Sequence, residues 1–294
     1  MTATGTQDTT GTANTTVAPD TTGPENTTST QGTTGAPDTS GTPGTPTDAA
    51  VTDPALTDQA VTTAALALGD DALVLAQRLG EWAGSAPVLE EEVALANIAL
   101  DLLGQARVLL SLAGDEDALA FLREERDFRN VQLVEQPNGD FAHTIARQLY
   151  FSTYQRLLYA ALATGSTPLT GLAAKAVKEV AYHQDHAEHW TLRLGDGTEE
   201  SHRRMQTACD ALWRYTGELF QPLDGLGLDP AGLEAAWLDS VTTVLTRAGL
   251  TVPTGPRTGA WRAGAGRQGL HTEHFGRMLA EMQHLHRSHP GATW

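Results

Sequence analysis

The chain has 294 residues and a formal net charge of −17, with 36 acidic residues against 19 lysines and arginines. A surface this acidic argues against nucleic acid and anionic membranes as partners. Cys209 is the single cysteine, so no intrachain disulfide can form, and we expect a cytoplasmic location. The first 30 residues lack a signal peptide's basic start and apolar stretch, and we find no apolar run of membrane-spanning length.

A low-complexity tail rich in Thr, Gly and Pro occupies residues 1–62, with 19 threonines among the first 50 residues. It has almost nothing apolar to bury, so its composition predicts disorder. Asn14 and Asn26 each begin an Asn-Thr-Thr triplet, which leaves a glycosylated surface stalk as an alternative function. Without a secretion signal, a dispensable tail is the simpler interpretation, and the folded domain is expected at residues 63–294.

Helical periodicity starts at Leu68 and predicts two long helices. The first carries one apolar stripe and stops at residues 84–87, a Gly-Ser-Ala-Pro break. Its stripe consists of Leu68, Ala72, Leu75, Leu79 and Trp82. The second helix is predicted at residues 89–113, with Ala94, Ile98, Leu102, Leu109 and Leu112 near one face.

The rest of the chain keeps the helical pattern. Shorter helical material is expected at residues 116–130, and a turn at 137–140 leads into a third long helix at 141–163 and a fourth at 169–194. Further helices are predicted at 199–220, 230–248 and 270–286, with a loop at 251–269. Nothing alternates with period two, so no sheet is expected. The pattern predicts an all-α fold, a ferritin-like four-helix bundle with additional C-terminal helices.

Ferritin-like oxygenases hold two irons with a Glu from each of two helices and a Glu-x-x-His pair from each of the other two. In the second helix, Asp101 occupies a ligand-like position, but Gly104 stands where the imidazole belongs, and Gln105 is suited only to hydrogen bonding. The third helix is more decisive, because residues 141–178 contain no Asp or Glu. Its polar interior positions are predicted to be Gln148, Ser152 and Gln155.

The fourth helix keeps the nearest remnant of a metal site. Glu179 is followed by Tyr182 and His183, and then by a group of further His and Glu residues, His186, Glu188 and His189. One interpretation is an independent ferritin-like metalloprotein that uses this cluster. The simpler one is a partly buried Glu179/His183 pair beside a solvated face. Glu81, and Glu281 with His284, match fragments of the pattern without completing a site.

Several stretches resemble the ferritin-like structural component, called the C subunit, of the bacterial ring 1,2-phenylacetyl-CoA epoxidase family. They include LGDDALVLAQRLGEWAG at 68–84, LANIALDLLGQAR at 95–107, LVEQPNGDFAHTIARQ at 133–148, LWRYTGELF at 212–220 and GLHTEHFGRMLAEMQ at 269–283. The resemblance covers roughly residues 66–294. It implies a non-catalytic, structural subunit of an oxygen- and NADPH-dependent monooxygenase that acts on phenylacetyl-CoA in aerobic phenylacetate degradation.

The resemblance also implies the partners. They are a paralogous ferritin-like catalytic subunit that carries the diiron centre, a small accessory subunit and a reductase subunit. This chain would hold no cofactor, and its degenerate metal-site positions would be Asp101, Gln105, Gln148, Glu179 and His183.

One segment is a candidate for contact with coenzyme A. Arg123, Arg126 and Arg129 recur every three residues, so a helical turn would line them up along one side, suited to phosphates. The resemblance implies substrate contact at the same place, at Asp127, Phe128, Arg129 and Asn130. Surface pairing of these arginines with neighbouring acidic residues is the alternative.

Overall fold

The computed structural model describes residues 54–260 and 262–292, and within them every regular element is helical. Residues 1–53, which hold most of the predicted tail, lie outside the described residues. In chain order the α-helices are α1 Pro54–Gly80, α2 Leu89–Ala113, α3 Glu116–Phe121, α4 Gln132–Glu135, α5 Phe141–Leu162, α6 Thr170–Gly195, α7 Glu199–Trp213, α8 Glu234–Arg247 and α9 Glu273–Ser288. Short 3₁₀ turns lie at Glu125–Asp127, Thr216–Phe220, Pro230–Leu233 and Gly266–Gln268.

The four long helices form the predicted bundle. α1 packs along α2, α5 packs along α6, and α2 also contacts α6. α5 is buried along most of its length, which explains why its sequence lacks acidic residues. α7 and α8 cover α5 from outside, and α9 packs on α3. The fold is therefore all-α and ferritin-like, with the additional C-terminal helices that the sequence predicts.

α1 begins at Pro54, fourteen residues before the apolar stripe that marks it in the sequence. The composition places residues 54–62 in the tail, whereas the structure places them in this helix. The early turns pack through small residues, since Ala64, Ala65 and Ala67 are buried. Alanine occurs on buried and exposed surfaces alike, so its spacing gives no amphipathic signal.

Several predicted helices are broken in the structure. Residues 116–130 contain α3 and a 3₁₀ turn instead of one helical stretch, and residues 199–220 divide into α7 and a 3₁₀ turn that starts at Thr216. Leu112, expected on the buried face of α2, is exposed. In the last turns of α2 the buried face is formed by Ala106, Leu109 and Leu110, and Leu112 lies outside it.

The expectation that no apolar run reaches the length of a membrane span is wrong. By length and composition alone, α1 from Asp58 and the whole of α2 pass that test. In the structure, 67% of the α1 window is buried in the bundle, against 39% of the α2 window. α1 is thus a bundle helix by burial, whereas α2 keeps an outward apolar face.

Candidate functional site

α2 and α6 bring Asp101 and His183 together in the bundle. His183 Nε2 lies 3.1 Å from Asp101 Oδ2, with the imidazole fully buried and 38% of the Asp101 side chain exposed. Burial lowers the pKa of His183, although hydrogen bonding and the charge of Asp101 act in the opposite direction. Above pH 6.5 the histidine is therefore neutral, and its Nε2 hydrogen is donated to the carboxylate, which can only accept.

A second chain of hydrogen bonds crosses the interior from α6 through α2 to α5. Gln105 Nε2 donates to Glu179 Oε2 at 3.0 Å, and Gln155 Nε2 donates to Gln105 Oε1 at 3.1 Å. Gln155 also reaches the Tyr159 hydroxyl at 3.4 Å, and burial raises the pKa of that tyrosine, which keeps it protonated. In this chain of hydrogen bonds, two amides and a phenol follow the carboxylate of Glu179.

The expected pair of Glu179 with His183 is wrong, because each residue pairs with α2 instead. Gln105, which the sequence shows as a residue suited to hydrogen bonding, donates to Glu179. Residues four apart on one helix lie on the same face, but the neighbouring helix decides which side chain each contacts. His186, expected on a solvated face, lies 2.8 Å from Glu91 Oε2 through its Nε2. Three side-chain contacts thus join α2 to α6.

Gln148 does not join this network. Its side chain is buried, and among the described residues its Oε1 has no hydrogen-bond partner. Ser152, one turn further along α5, donates to the backbone oxygen of Gln148 at 2.6 Å. Among the five predicted degenerate positions, Asp101 is therefore hydrogen-bonded to His183, and Gln105 to Glu179. Gln148 is bonded to neither pair.

The residues present do not fit a diiron centre. Within residues 54–260 and 262–292, no three His, Cys, Asp or Glu side chains converge as metal ligands. Glu179 accepts from the amide of Gln105, a neutral side chain that cannot replace a carboxylate ligand, and α5 contributes no carboxylate at all. Glu81 pairs with Arg78 at 2.8 Å, while Glu281 and His284 are exposed on α9.

Two buried carboxylates lie on α1, at positions that the sequence pattern did not single out. Asp71 forms an ion pair with Arg267, 2.6 Å from Oδ2 to Nη2, and accepts from the Val131 amide. Asp70 pairs with Arg123 and accepts from the Arg129 amide at 2.8 Å. Burial raises the pKa of both carboxyls, and the arginines oppose that shift. Asp71 lies on the apolar face of α1 that starts at Leu68. A carboxylate on that face is the sequence feature that could have predicted this buried ion pair.

Two further buried carboxylates hold the loops to one another. Glu135 accepts from Asn130 Nδ2 at 2.9 Å and from the Thr272 amide at 2.6 Å, and it contacts His271 Nδ1 at 2.7 Å. Glu218 accepts from the Gln132 amide at 2.7 Å and the Gly266 amide at 2.6 Å. Residues 128–136 and 266–272 are consequently fixed by charge-assisted bonds.

The predicted helical row of Arg123, Arg126 and Arg129 does not exist. The chain leaves α3 at Leu122, and Arg123 turns inward to Asp70. Arg129 donates to the carbonyl oxygens of Arg126 and Phe128 at 2.7 and 2.8 Å. Competition from the buried carboxylate of Asp70 explains why the arginines do not share one face.

Of the four predicted substrate-contacting residues, two are fully buried and two are at least partly exposed to solvent. Phe128 and Asn130 are fully buried, and the Arg123 guanidinium lies 4.0 Å from the centre of the Phe128 ring. Asp127 is exposed and accepts from the Glu124 amide at 3.0 Å, and Arg129 is half-buried. Contact of this segment with substrate stays a prediction.

Fold and site together define a ferritin-like bundle in which amides occupy interior polar positions. The family described as phenylacetic acid catabolic protein matches residues 38–294. The chain belongs to that family. It is similar to the C subunit of 1,2-phenylacetyl-CoA epoxidase of Escherichia coli (strain K12), with 50% identity over 244 residues that cover 78% of this chain and 97% of that protein.

Proposed function

We propose that this chain is the non-catalytic structural subunit of a phenylacetyl-CoA 1,2-epoxidase, an oxygen- and NADPH-dependent monooxygenase of aerobic phenylacetate degradation. It pairs in the cytoplasm with a paralogous diiron catalytic subunit and stabilises it, alongside a small accessory subunit and a reductase subunit. The observation that carries the proposal is the hydrogen-bond chain of Glu179, Gln105 and Gln155 at the interior positions where such a bundle would hold iron.

This chain's residues explain a supporting role in physical terms. A bundle that binds iron directs its interior carboxylate oxygens at the metal, whereas here Glu179 and Asp101 are each bonded to a side chain across the α2–α6 interface. Those bonds connect helices without a metal and keep the bundle rigid. Rigidity at that place suits a subunit that serves as a fixed platform for another chain.

The test compares the assembled enzyme with and without the remnant residues. In a complex purified from co-expressed subunits, Glu179→Gln together with His183→Gln should leave turnover of phenylacetyl-CoA and iron content unchanged. Omitting this chain should lower the thermal midpoint of the catalytic subunit. Near-stoichiometric iron in the isolated chain, lost on His183→Ala, would instead establish an independent metalloprotein and overturn the proposal.

A further inference from the structure

α2 carries an outward apolar row that the bundle leaves uncovered. Its inner face is buried, but Leu89, Val93 and Leu100 are 72%, 53% and 64% exposed. Together with Ala96 and Leu103, which also face solvent, they follow one another at intervals of four, three, four and three residues. We call these five residues the outer seam. Contiguous exposed apolar surface of this kind marks an interaction site.

The spacing of the outer seam specifies what it contacts. Alternating steps of four and three residues place side chains along one line of a helix and are the pattern by which one α-helix packs lengthwise on another. No charged residue lies between Val93 and Leu100, so this length of α2 can be desolvated without burying a charge. Beside the seam, an apolar groove between α1 and α2, closed by Phe121 and Met282, can accept the partner's larger side chains.

Charge argues against two other occupants. A second copy of this chain would bring two molecules of net charge −17 together, and a parallel arrangement would place the Glu90, Glu91 and Glu92 runs of the two copies side by side. An anionic membrane is repelled for the same reason. A heterotypic protein partner need not share this chain's charge, so neither objection excludes it.

We infer that the outer seam of α2 is the surface on which an α-helix of the diiron catalytic subunit docks lengthwise. This inference rests on the proposed function, which supplies a ferritin-like partner made of long helices. The inference adds which surface of this chain is in contact and states that the partner contributes a helix to the interface.

The test is a binding titration of the full-length chain with the catalytic subunit, using Leu100→Asp and, as a second variant, Val93→Asp. Each should weaken the complex about 100-fold, since a carboxylate would be buried at the centre of the contact without a partner. Both side chains are exposed in the free chain, so its thermal midpoint should not change. Ala236→Asp adds the same charge at an exposed position of α8 and should bind like wild type.

The possible failures are distinguishable. If wild type binds the catalytic subunit and both seam variants bind equally well, the docking surface is wrong and the proposed function stands. If wild type does not bind at all, the proposed function itself fails. If the isolated chain is a dimer that Leu100→Asp converts to monomers, or if it binds phospholipid vesicles through the seam, the assigned occupant is wrong.

Discussion

Asp71 and Arg267, 196 positions apart in the chain, form a two-pronged ion pair in which the carboxylate is buried. Nη1 lies 3.0 Å from Oδ1 and Nη2 lies 2.6 Å from Oδ2. Arg267 also donates to the backbone oxygens of Ala67 and Arg129. This one side chain therefore joins α1, the segment after α3 and the segment before α9.

Breaking that ion pair from one side should be costly. Arg267→Met leaves the Asp71 carboxylate buried without its cation, so we expect the free energy of unfolding in urea to fall by about 3–5 kcal/mol. The matched control is Arg203→Met, which removes an exposed ion pair with Glu200. That variant should change the same quantity by less than about 1 kcal/mol. Equal effects of the two substitutions would contradict a special role for the buried pair.

The contact of Asp101 with His183 predicts a graded response at position 101. Asp101→Asn keeps an acceptor oxygen for His183 Nε2 and should change stability only modestly. Asp101→Leu leaves the buried imidazole without a partner and should cost about 1–3 kcal/mol, measured by urea unfolding. Asn97→Leu, at an exposed site on the same helix, controls for the added leucine. A stability for Asp101→Leu equal to that of wild type would show that the bond is not stabilising.

The buried imidazole should make stability depend on pH. Because burial lowers the pKa of His183 below its ordinary value of 6.5, the unfolded chain takes up a proton there more readily than the folded chain. The contribution of neutral His183 is complete above pH 6.5 and is lost as the pH falls from there through the folded pKa. Urea unfolding between about pH 8 and 5 should show this loss, and His183→Gln should reduce it.

The exposed His189 provides the control for that experiment. It pairs with Asp185 on the surface of α6, and His189→Gln should keep the wild-type pH dependence. The pKa values of Asp70 and Asp71 are raised by burial, so these carboxyls contribute with the opposite sign, at pH values from their ordinary pKa of 3.8 upward. Only the difference between variant and wild type therefore reports on His183. An unchanged profile for His183→Gln would refute the assignment.

The first turns of α1 should be held by the loop after the Thr216–Phe220 turn. A Cβ at Gly225 would overlap the carbonyl of Ala60, and Gly225 has φ +87°. Gly225→Ala should therefore lower the thermal midpoint more than Gly84→Ala, which has φ +78° with open space around its Cβ position. The difference between the two isolates packing from backbone strain. If both lower the midpoint equally, the α1 start does not pack on this loop.

The same contact predicts where truncation begins to matter. Removing residues 1–53 should leave the thermal midpoint unchanged, because the composition of that segment offers little apolar surface to bury. Removing residues 1–63 deletes the turns of α1 that lie against Gly225 and should lower the midpoint by several degrees. Differential scanning calorimetry of the two truncated chains makes the comparison, and equal midpoints would contradict it.

The sequence by itself determined the fold class and the lack of a carboxylate on α5. Helical periodicity from Leu68 onward is a local property, and it predicts a bundle because each amphipathic helix must bury its stripe. The absence of Asp and Glu between residues 141 and 178 needs no coordinates either, since a helix without carboxylates cannot supply one. Resemblance of whole stretches then indicated the family.

Only the tertiary structure decided which side chains meet. Asp101 with His183, Glu179 with Gln105 and Asp71 with Arg267 each join separate segments, and periodicity gives the face of a helix but not the neighbour opposite it. The prediction of a helical row of arginines starting at Arg123 is wrong for this reason. A buried carboxylate on α1 binds Arg123, the first of them. The sequence could not predict the outer seam of α2 either, since an apolar residue that its own fold covers cannot be distinguished in a sequence from one that another chain covers.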